Sequence, residues 1–249
     1  MDLLEKKGNA KRHPWETARV KSIRQILRRY ASLPDQGSFL DIGSGDGFAI
    51  DAIFKDVPAA AIHGVDIHLS DQQIRESNGG RVQFFNRYER LNRDGYDGIF
   101  LLDVIEHASD DATLLKDVKG QFLKAGGFAV ITVPAFQSLF SSYDTFLKHY
   151  RRYHLKQLKS VIQDASFDWV AGGYLFSSLL PMRAANCILE RIFPSRKLKY
   201  FGLGDWQHND LVTRTVEGAW NLDNATLLYL ARHNIFLPGL SVWAIVRNN

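Results

Sequence analysis

The stretch Phe39-Leu40-Asp41-Ile42-Gly43-Ser44-Gly45-Asp46-Gly47-Phe48 constrains the chain more than any other. A short apolar run closes on an acidic residue, and three glycines then alternate with small polar residues. This is the pattern of a buried strand that breaks into a tight turn and opens a helix. Glycine accepts positive φ and lets a ligand come close to the backbone. The N–H groups at a helix start draw polar or anionic ligand groups. A nucleotide-like cofactor is therefore expected at this turn.

The rest of the chain continues the rhythm. Ser38–Ile42, Ala60–Val65, Val82–Phe85, Tyr96–Val104 and Phe128–Val133 read as strands. Helices are expected at Phe48–Lys55 and Leu69–Ser77, with another starting at Ser109-Asp110-Asp111 and stopped by Lys124-Ala125-Gly126-Gly127. Strands alternating with helices at this spacing imply parallel βαβ units with right-handed crossovers. Upstream, Pro14 begins an amphipathic helix over residues 14–30. After Pro134 a long aromatic- and base-rich connection, 135–153, precedes a helix at Leu155–Ala165 and a strand at Trp169–Tyr174. Two or more helices around the loop 201–206 and a last strand, Leu240–Val246, complete seven strands. The expected units are a basic helical segment (1–34), a cofactor-binding domain (35–174 and 238–249) and a helical cap inserted between the last two strands (175–237).

Composition excludes several classes. Cys187 is the sole cysteine, so neither an intrachain disulfide nor a cysteine-based zinc cluster can form. No apolar signal segment opens the sequence, and the uncharged run Trp169–Met182 is shorter than the ~20 residues that span a bilayer. A cytoplasmic protein is expected. The net charge of +4 is uneven, since residues 1–33 carry nine Lys/Arg against three Asp/Glu. Such an arm is more often a solvated helix face than a contact for nucleic acid, anionic lipid or an acidic substrate.

The glycines fall in a G-x-G-x-G spacing, where dinucleotide sites use G-x-G-x-x-G. Asp41 beside the turn would repel a pyrophosphate but suits a ligand with an ammonium group, and Asp66 is placed to accept from two ribose hydroxyls. Asp41-Ile42-Gly43-Ser44-Gly45-Asp46-Gly47 resembles the first motif of class I S-adenosylmethionine-dependent methyltransferases. Val65-Asp66-Ile67 resembles their second-strand motif. The run Tyr96 to His107 is similar to the fourth-strand segment, and Leu123-Lys124-Ala125-Gly126-Gly127 to the loop before the fifth strand. The flanking His13-Pro14-Trp15-Glu16, His149-Tyr150-Arg151-Arg152-Tyr153 and Leu237-Pro238-Gly239-Leu240 are similar to a bacterial subgroup of these enzymes (type 11/12-like) found among surface-polysaccharide and lipid-linked pathways.

The resemblance implies an α/β fold: a doubly wound, mostly parallel, seven-stranded Rossmann-like sheet with an antiparallel C-terminal strand and a helical cap insertion. It implies S-adenosyl-L-methionine as cofactor. Asp41, Gly43, Ser44, Gly45 and Gly47 would hold the methionine portion and Asp66 the ribose, while Ile67 would lie against the adenine. Asn86 is the nearest candidate for the adenine edge, although Arg87 and Tyr88 follow where the family usually shows glycine and acid. Asp103 and Val104 would line the site near the sulfonium.

On the acceptor side His107 and His149 are candidate catalytic residues, the base being needed only if the acceptor loses a proton. Tyr143, Arg151 and Arg152 are candidate acceptor contacts, with ion pairs to nearby carboxylates as the competing role for the arginines. No His/Asp/Glu set shows metal-ligand spacing, so no metal is expected. The acceptor is expected to be a small molecule, a glycan or a lipid-linked intermediate, with O-methylation favoured. Nucleic acid is not expected, because no Asn/Asp-Pro-Pro-Tyr motif follows the fourth strand. The Trp/Phe/Leu-rich stretch 169–193 reads as cap core, with an apolar acceptor pocket or peripheral membrane contact as alternatives. A nicotinamide-dependent oxidoreductase and a non-catalytic cofactor-binding protein are the rival functions. Lack of a Tyr-x-x-x-Lys pair opposes the first, and retention of Asp41 and Asp66 the second.

Overall fold

The computed structural model describes residues 12–34, 36–57, 60–77, 79–91, 94–193 and 206–249. Its centre is a seven-stranded sheet of order β3-β2-β1-β4-β5-β7-β6. The strands are β1 (Ser38–Ile42), β2 (Ala61–Val65), β3 (Val82–Phe85), β4 (Tyr96–Leu102), β5 (Leu123–Pro134), β6 (Asp168–Leu175) and β7 (Ser241–Arg247). β1 to β5 run parallel, and β7 alone runs against its neighbours β5 and β6. The helices are α1 (Pro14–Tyr30), α2 (Phe48–Ile53), α3 (Asp71–Ser77), α4 (Asp111–Phe122), α5 (Ser142–Phe146), α6 (Leu155–Asp164), α7 (Leu180–Ile192) and α8 (Asp210–Arg232). This is the expected doubly wound architecture with the helical insertion α7–α8 before the antiparallel last strand.

Side chains alternate between the two faces of a strand, and the core divides accordingly. Phe39, Phe100, Phe128, Val130, Trp243 and Ile245 pack on one face with α1, α2 and α8. Leu40, Ile42, Ile99, Leu101, Ile131 and Val246 pack on the other with α4 and α6. Both faces are covered, which is why β1, β4 and β5 are near-continuous apolar runs.

Helix α1 is an integral part of the first layer. His13 caps it by accepting from the Trp15 amide, Pro14 stands in its first turn, and Ala18, Ile23, Ile26 and Leu27 are buried beneath it. Its basic residues, and Arg12 just before it, meet carboxylates of the sheet domain: Arg12 pairs with Asp46, Arg19 with Asp103 and Arg24 with Asp56. Three of the six basic residues of 12–33 are thus engaged within the molecule; residues 1–11 lie outside the described residues.

Two elements differ from the expected ones. β5 begins at Leu123 and so takes in the Lys124–Gly127 stretch read as a helix stop, where the strand was expected only from Phe128. Leu123 pairs with Tyr96, and a register shift between Tyr96 and Gly98 absorbs the irregularity. The 135–153 connection contains α5, closed by a reciprocal capping box between Ser141 and Asp144. Most of the loop expected at 201–206 lies outside the described residues. No helix of the described residues is long and apolar enough to cross a membrane.

If α1 belongs to the cooperative core, Ile23→Ala, at a fully buried position, loses about 2–5 kcal/mol. A single shifted transition in urea is the expected result, and an unchanged midpoint would make α1 a detachable arm.

Candidate functional site

In an open parallel sheet, ligands bind beyond the carboxyl ends of the strands where the strand order reverses. Here that point is the C-terminal end of β1, between β2 and β4. The turn that follows has Gly43, Gly45 and Gly47 at φ +69°, +55° and +73°. A Cβ at Gly47 would come within 2.4 Å of the Phe84 ring, and one at Gly43 within 2.9 Å of Val104. Both conformation and space therefore require glycine. The turn is anchored by the amides of Gly43 and Ser44, which donate to the Val65 carbonyl at 2.8 and 3.2 Å.

Asp66 joins this turn from β2. One carboxylate oxygen accepts from the Gly45 amide at 3.0 Å and the other from the His68 amide at 2.9 Å. Each oxygen keeps a further lone pair, and Asp66 faces the cavity. Beside it Ile67 leaves 65% of its surface exposed at the cavity wall. Asp41 lies beneath the turn, 2% exposed, and burial raises its carboxyl to about 7.

Asp103 follows β4 at φ +60°, a strained conformation for a residue with a side chain. Its carboxylate accepts from Arg19 of α1 and, at 3.1 Å, from Thr132 of β5. Three elements thus hold it at the mouth of the sheet. Val104 lies next to it on the cavity wall.

The 135–153 connection folds over this end and is tied to it by the Tyr150 amide, which donates to the Glu106 carbonyl at 2.8 Å. Its organising group is the buried carboxylate of Asp144. That carboxylate accepts from Arg152 at 2.7 Å, Arg183 of α7 at 2.8 Å, His149 Nδ1 at 3.0 Å and the Ser141 amide at 3.0 Å. Burial works against its charge, but the His149 bond and the two guanidiniums outweigh that and hold the carboxyl down at about 2. With Nδ1 given to Asp144, the other ring nitrogen of His149 carries the lone pair. The His149 and His107 rings meet edge to face, 4.7 Å between centroids.

Glu106 stands beside them, fully buried, with no hydrogen-bond partner for either oxygen among the described residues. Burial, reinforced by the charge of Asp103, pushes its carboxyl well above the usual range. Ligand atoms of Glu106, His107 and His149 all lie within 4.8 Å of one another. Sequence spacing did not reveal this cluster, since forty-odd residues separate His107 from His149 in the chain.

One cavity of about 1410 Å³ connects these parts. Gly43, Asp66, Ile67, Asp103 and Val104 line one end. Glu106, His107, His149, Tyr143 and Arg152 line the cavity as well, together with Trp15, Met182, Trp206 and Trp220. Of the expected site residues, Asp41, Ser44, Gly45, Gly47, Asn86 and Arg151 do not line it. Arg151 pairs with Asp111 at 3.0 Å and Arg152 with Asp144, the ion-pair role weighed for both. The Asn86 amide nitrogen donates to Asp71 at 2.9 Å and to the Leu69 carbonyl at 3.3 Å, while its oxygen is buried without a partner among the described residues.

Sequence reasoning missed His13, Arg19 and Glu106. Arg19 sits in the apolar stripe of α1 between Ala18 and Val20, and Glu106 follows Val104-Ile105. In each case a charge in a buried pattern was the available signal. His13 is held between Trp206 and Trp220, its ring 5.0 and 5.9 Å from theirs, and burial lowers its pKa to about 4.

Removing one partner of a buried ion pair costs about 3–5 kcal/mol. Asp144→Ala is expected to lose stability on that scale in urea unfolding, since it leaves Arg152 and Arg183 without their common anion.

A family described as a methyltransferase domain matches residues 15–171. No curated protein sequence matches significantly. Among solved structures, a Galdieria sulphuraria protein put forward as a sarcosine dimethylglycine methyltransferase is 13% identical, with 94% of this chain and 86% of that chain covered and a TM-score of 0.58. Haemonchus contortus phosphoethanolamine N-methyltransferase 2, crystallised with phosphomonomethylethanolamine and S-adenosylhomocysteine, is 16% identical with a TM-score of 0.54. That match takes in 92% of this chain but only 52% of the Haemonchus protein, about half its length. Geranyl diphosphate C-methyltransferase from Streptomyces coelicolor is 11% identical over 92% of this chain and 79% of that chain, with a TM-score of 0.56. At these identities the likeness is one of fold.

Proposed function

The chain belongs to the class I S-adenosylmethionine-dependent methyltransferases, and on that footing we propose that it methylates a hydroxyl of an acceptor with an apolar or aromatic body. The observation that carries this reading is the single cavity that joins the glycine turn and Asp66 to His149, whose ring is oriented by Asp144.

The residues present fit S-adenosylmethionine. Gly43 leaves the turn open, Asp66 keeps lone pairs for two ribose hydroxyls, and Ile67 offers an apolar shelf for adenine. Asp41 supplies the counter-charge for an ammonium group, with Ser44, Gly45 and Gly47 shaping the turn around it. When bound, the cofactor supplies an electrophilic methyl on sulfur.

The chain's part is to bring an acceptor oxygen in line with that methyl and to keep water out, which is the larger share of catalysis in such displacements. His149 supplies the lone pair that activates the acceptor hydroxyl, with His107 packed against its ring. Tyr143 and the end of the cavity formed by Trp206 and Trp220 would hold the acceptor body, whereas Arg151 and Arg152 act through Asp111 and Asp144 to fix the loop.

We assign α7 and α8 the role of a cap over that end. Met182 lines the cavity while Ile188, Leu189, Ile192 and Phe193 of the α7 region are exposed. That apolar row supports a lipid-linked acceptor presented at a membrane surface. N- and C-methyl transfer by proteins of the same fold are the alternatives that acceptor screening must separate.

Calorimetric titration with S-adenosylmethionine and with NAD tests the cofactor: binding of the first alone is expected, and Asp66→Ala should weaken it at least tenfold. Tight NAD binding with no response to S-adenosylmethionine would sink the reading. His149→Ala should keep cofactor binding and lower turnover by about 10²–10⁴-fold, the usual contribution of an acid–base group.

The raised pKa of Asp41 gives a pH signature. Folding disfavours its charged form, so its stabilising contribution is complete below pH 4 and is lost as pH rises towards 7. An ammonium ligand prefers the ionised form, so S-adenosylmethionine affinity should rise about tenfold between pH 6 and 8 as Asp41 ionises. Asp41→Asn should remove that slope.

A further inference from the structure

Ligand atoms of Glu106, His107 and His149 converge to within 4.8 Å of one another. Neither oxygen of Glu106 has a hydrogen-bond partner among the described residues, although two imidazole nitrogens lie within 4.8 Å. An ionisable carboxyl buried to 0% exposure without a partner is rare, because its desolvation is uncompensated. The histidines come from two segments, the turn after β4 and the 135–153 connection, so only the tertiary fold assembles the group.

We propose that Glu106, His107 and His149 form a binding site for a borderline divalent cation, zinc in the first instance, at the acceptor side of the cavity. Two imidazoles, one carboxylate and an open position are the donor set of catalytic zinc sites. Magnesium and calcium favour all-oxygen sets.

Three features of the chain support this. The ligand atoms of a tetrahedral zinc site stand about 3.4 Å apart, a spacing that small side-chain rotations would reach from the observed one. The Asp144 carboxylate accepts from His149 Nδ1 at 3.0 Å, the carboxylate–histidine arrangement that fixes the tautomer of a metal-binding ring. Arg152 and Arg183 hold that carboxylate in turn, so the outer support of the site is rigid. All three side chains line the cavity shared with Asp103 and Val104.

This deepens the reading of the acceptor side given above, for it says how the His149 lone pair acts. A cation held there lowers the pKa of a hydroxyl bound at its open position. The proton passes to water, the oxygen lone pair forms the new C–O bond, and the S–C bond breaks with its electron pair left on sulfur. The products are the methyl ether, S-adenosylhomocysteine and one proton.

The test uses the full chain without a histidine tag, stripped with chelator and dialysed. Zn²⁺ is titrated by calorimetry and Co²⁺ by visible absorption, with Mg²⁺ as the hard-cation control. One equivalent of Zn²⁺, a Co²⁺ d–d band and much weaker Mg²⁺ binding are expected. Glu106→Gln removes the charge at nearly constant shape, and it should weaken Zn²⁺ at least tenfold, as should His107→Gln. Far-UV circular dichroism and thermal melting report whether each variant is folded. Absence of binding overturns the proposal, as does Zn²⁺ affinity unchanged in both folded variants. A chain that binds S-adenosylmethionine but no cation leaves His149 as a metal-free base. One that binds Zn²⁺ but not S-adenosylmethionine keeps the metal site and loses the methyl-transfer reading.

Discussion

The position of β1 between β2 and β4 is the constraint on which the rest depends. The chain runs outward from β1 through β2 and β3, then returns to build β4 and β5 on the other side. The connections after β1 and β4 therefore diverge and leave a crevice at their carboxyl ends. The glycine turn can occupy that crevice only because positions 43, 45 and 47 adopt positive φ. Asp66 and Asp103 reach it from the neighbouring strands. The first half of the site is thus a consequence of strand order.

The second half rests on one buried anion. Asp144 gathers Arg152 from the same connection, Arg183 from α7 and His149 from the loop end. A carboxylate this enclosed holds its charge only because cationic and N–H donors surround it. It thereby orients the His149 ring and anchors α7 to the body of the molecule. The same clamp explains why Arg152, which looked suited to an acidic acceptor, is an internal partner, because a buried Asp and its guanidiniums are costly to leave apart; Arg151 is held by Asp111 instead.

Much of the cofactor half was legible because its signals are local. Apolar runs, the glycine spacing and the acidic residue after β2 are properties of a few adjacent residues, and α1 announces itself by Pro14 and a 3.6-residue period. The start of β5 was misplaced, since Lys124-Ala125-Gly126-Gly127 carries turn chemistry that pairing with β4 overrides. Asn86 showed only its proximity in sequence to the adenine position, not the contacts of its amide with Asp71 and Leu69. Arg19 was hidden for another reason. Its partner Asp103 is 84 residues away, and no periodicity reports a pairing of that range.

By itself, then, the sequence determined the sheet, the order of its helices and the glycine turn after β1, because each is written in short-range pattern and backbone preference. The tertiary structure decided which charges meet. Glu106 and His107 lie next to each other in the chain, but His149 joins them only when the 135–153 connection closes back over the end of β4. Trp15, Trp206 and Trp220 share a wall only because α1 and α8 pack side by side. Long-range juxtaposition of side chains is set by how the layers pack, and that is where the chemistry of the acceptor side was made.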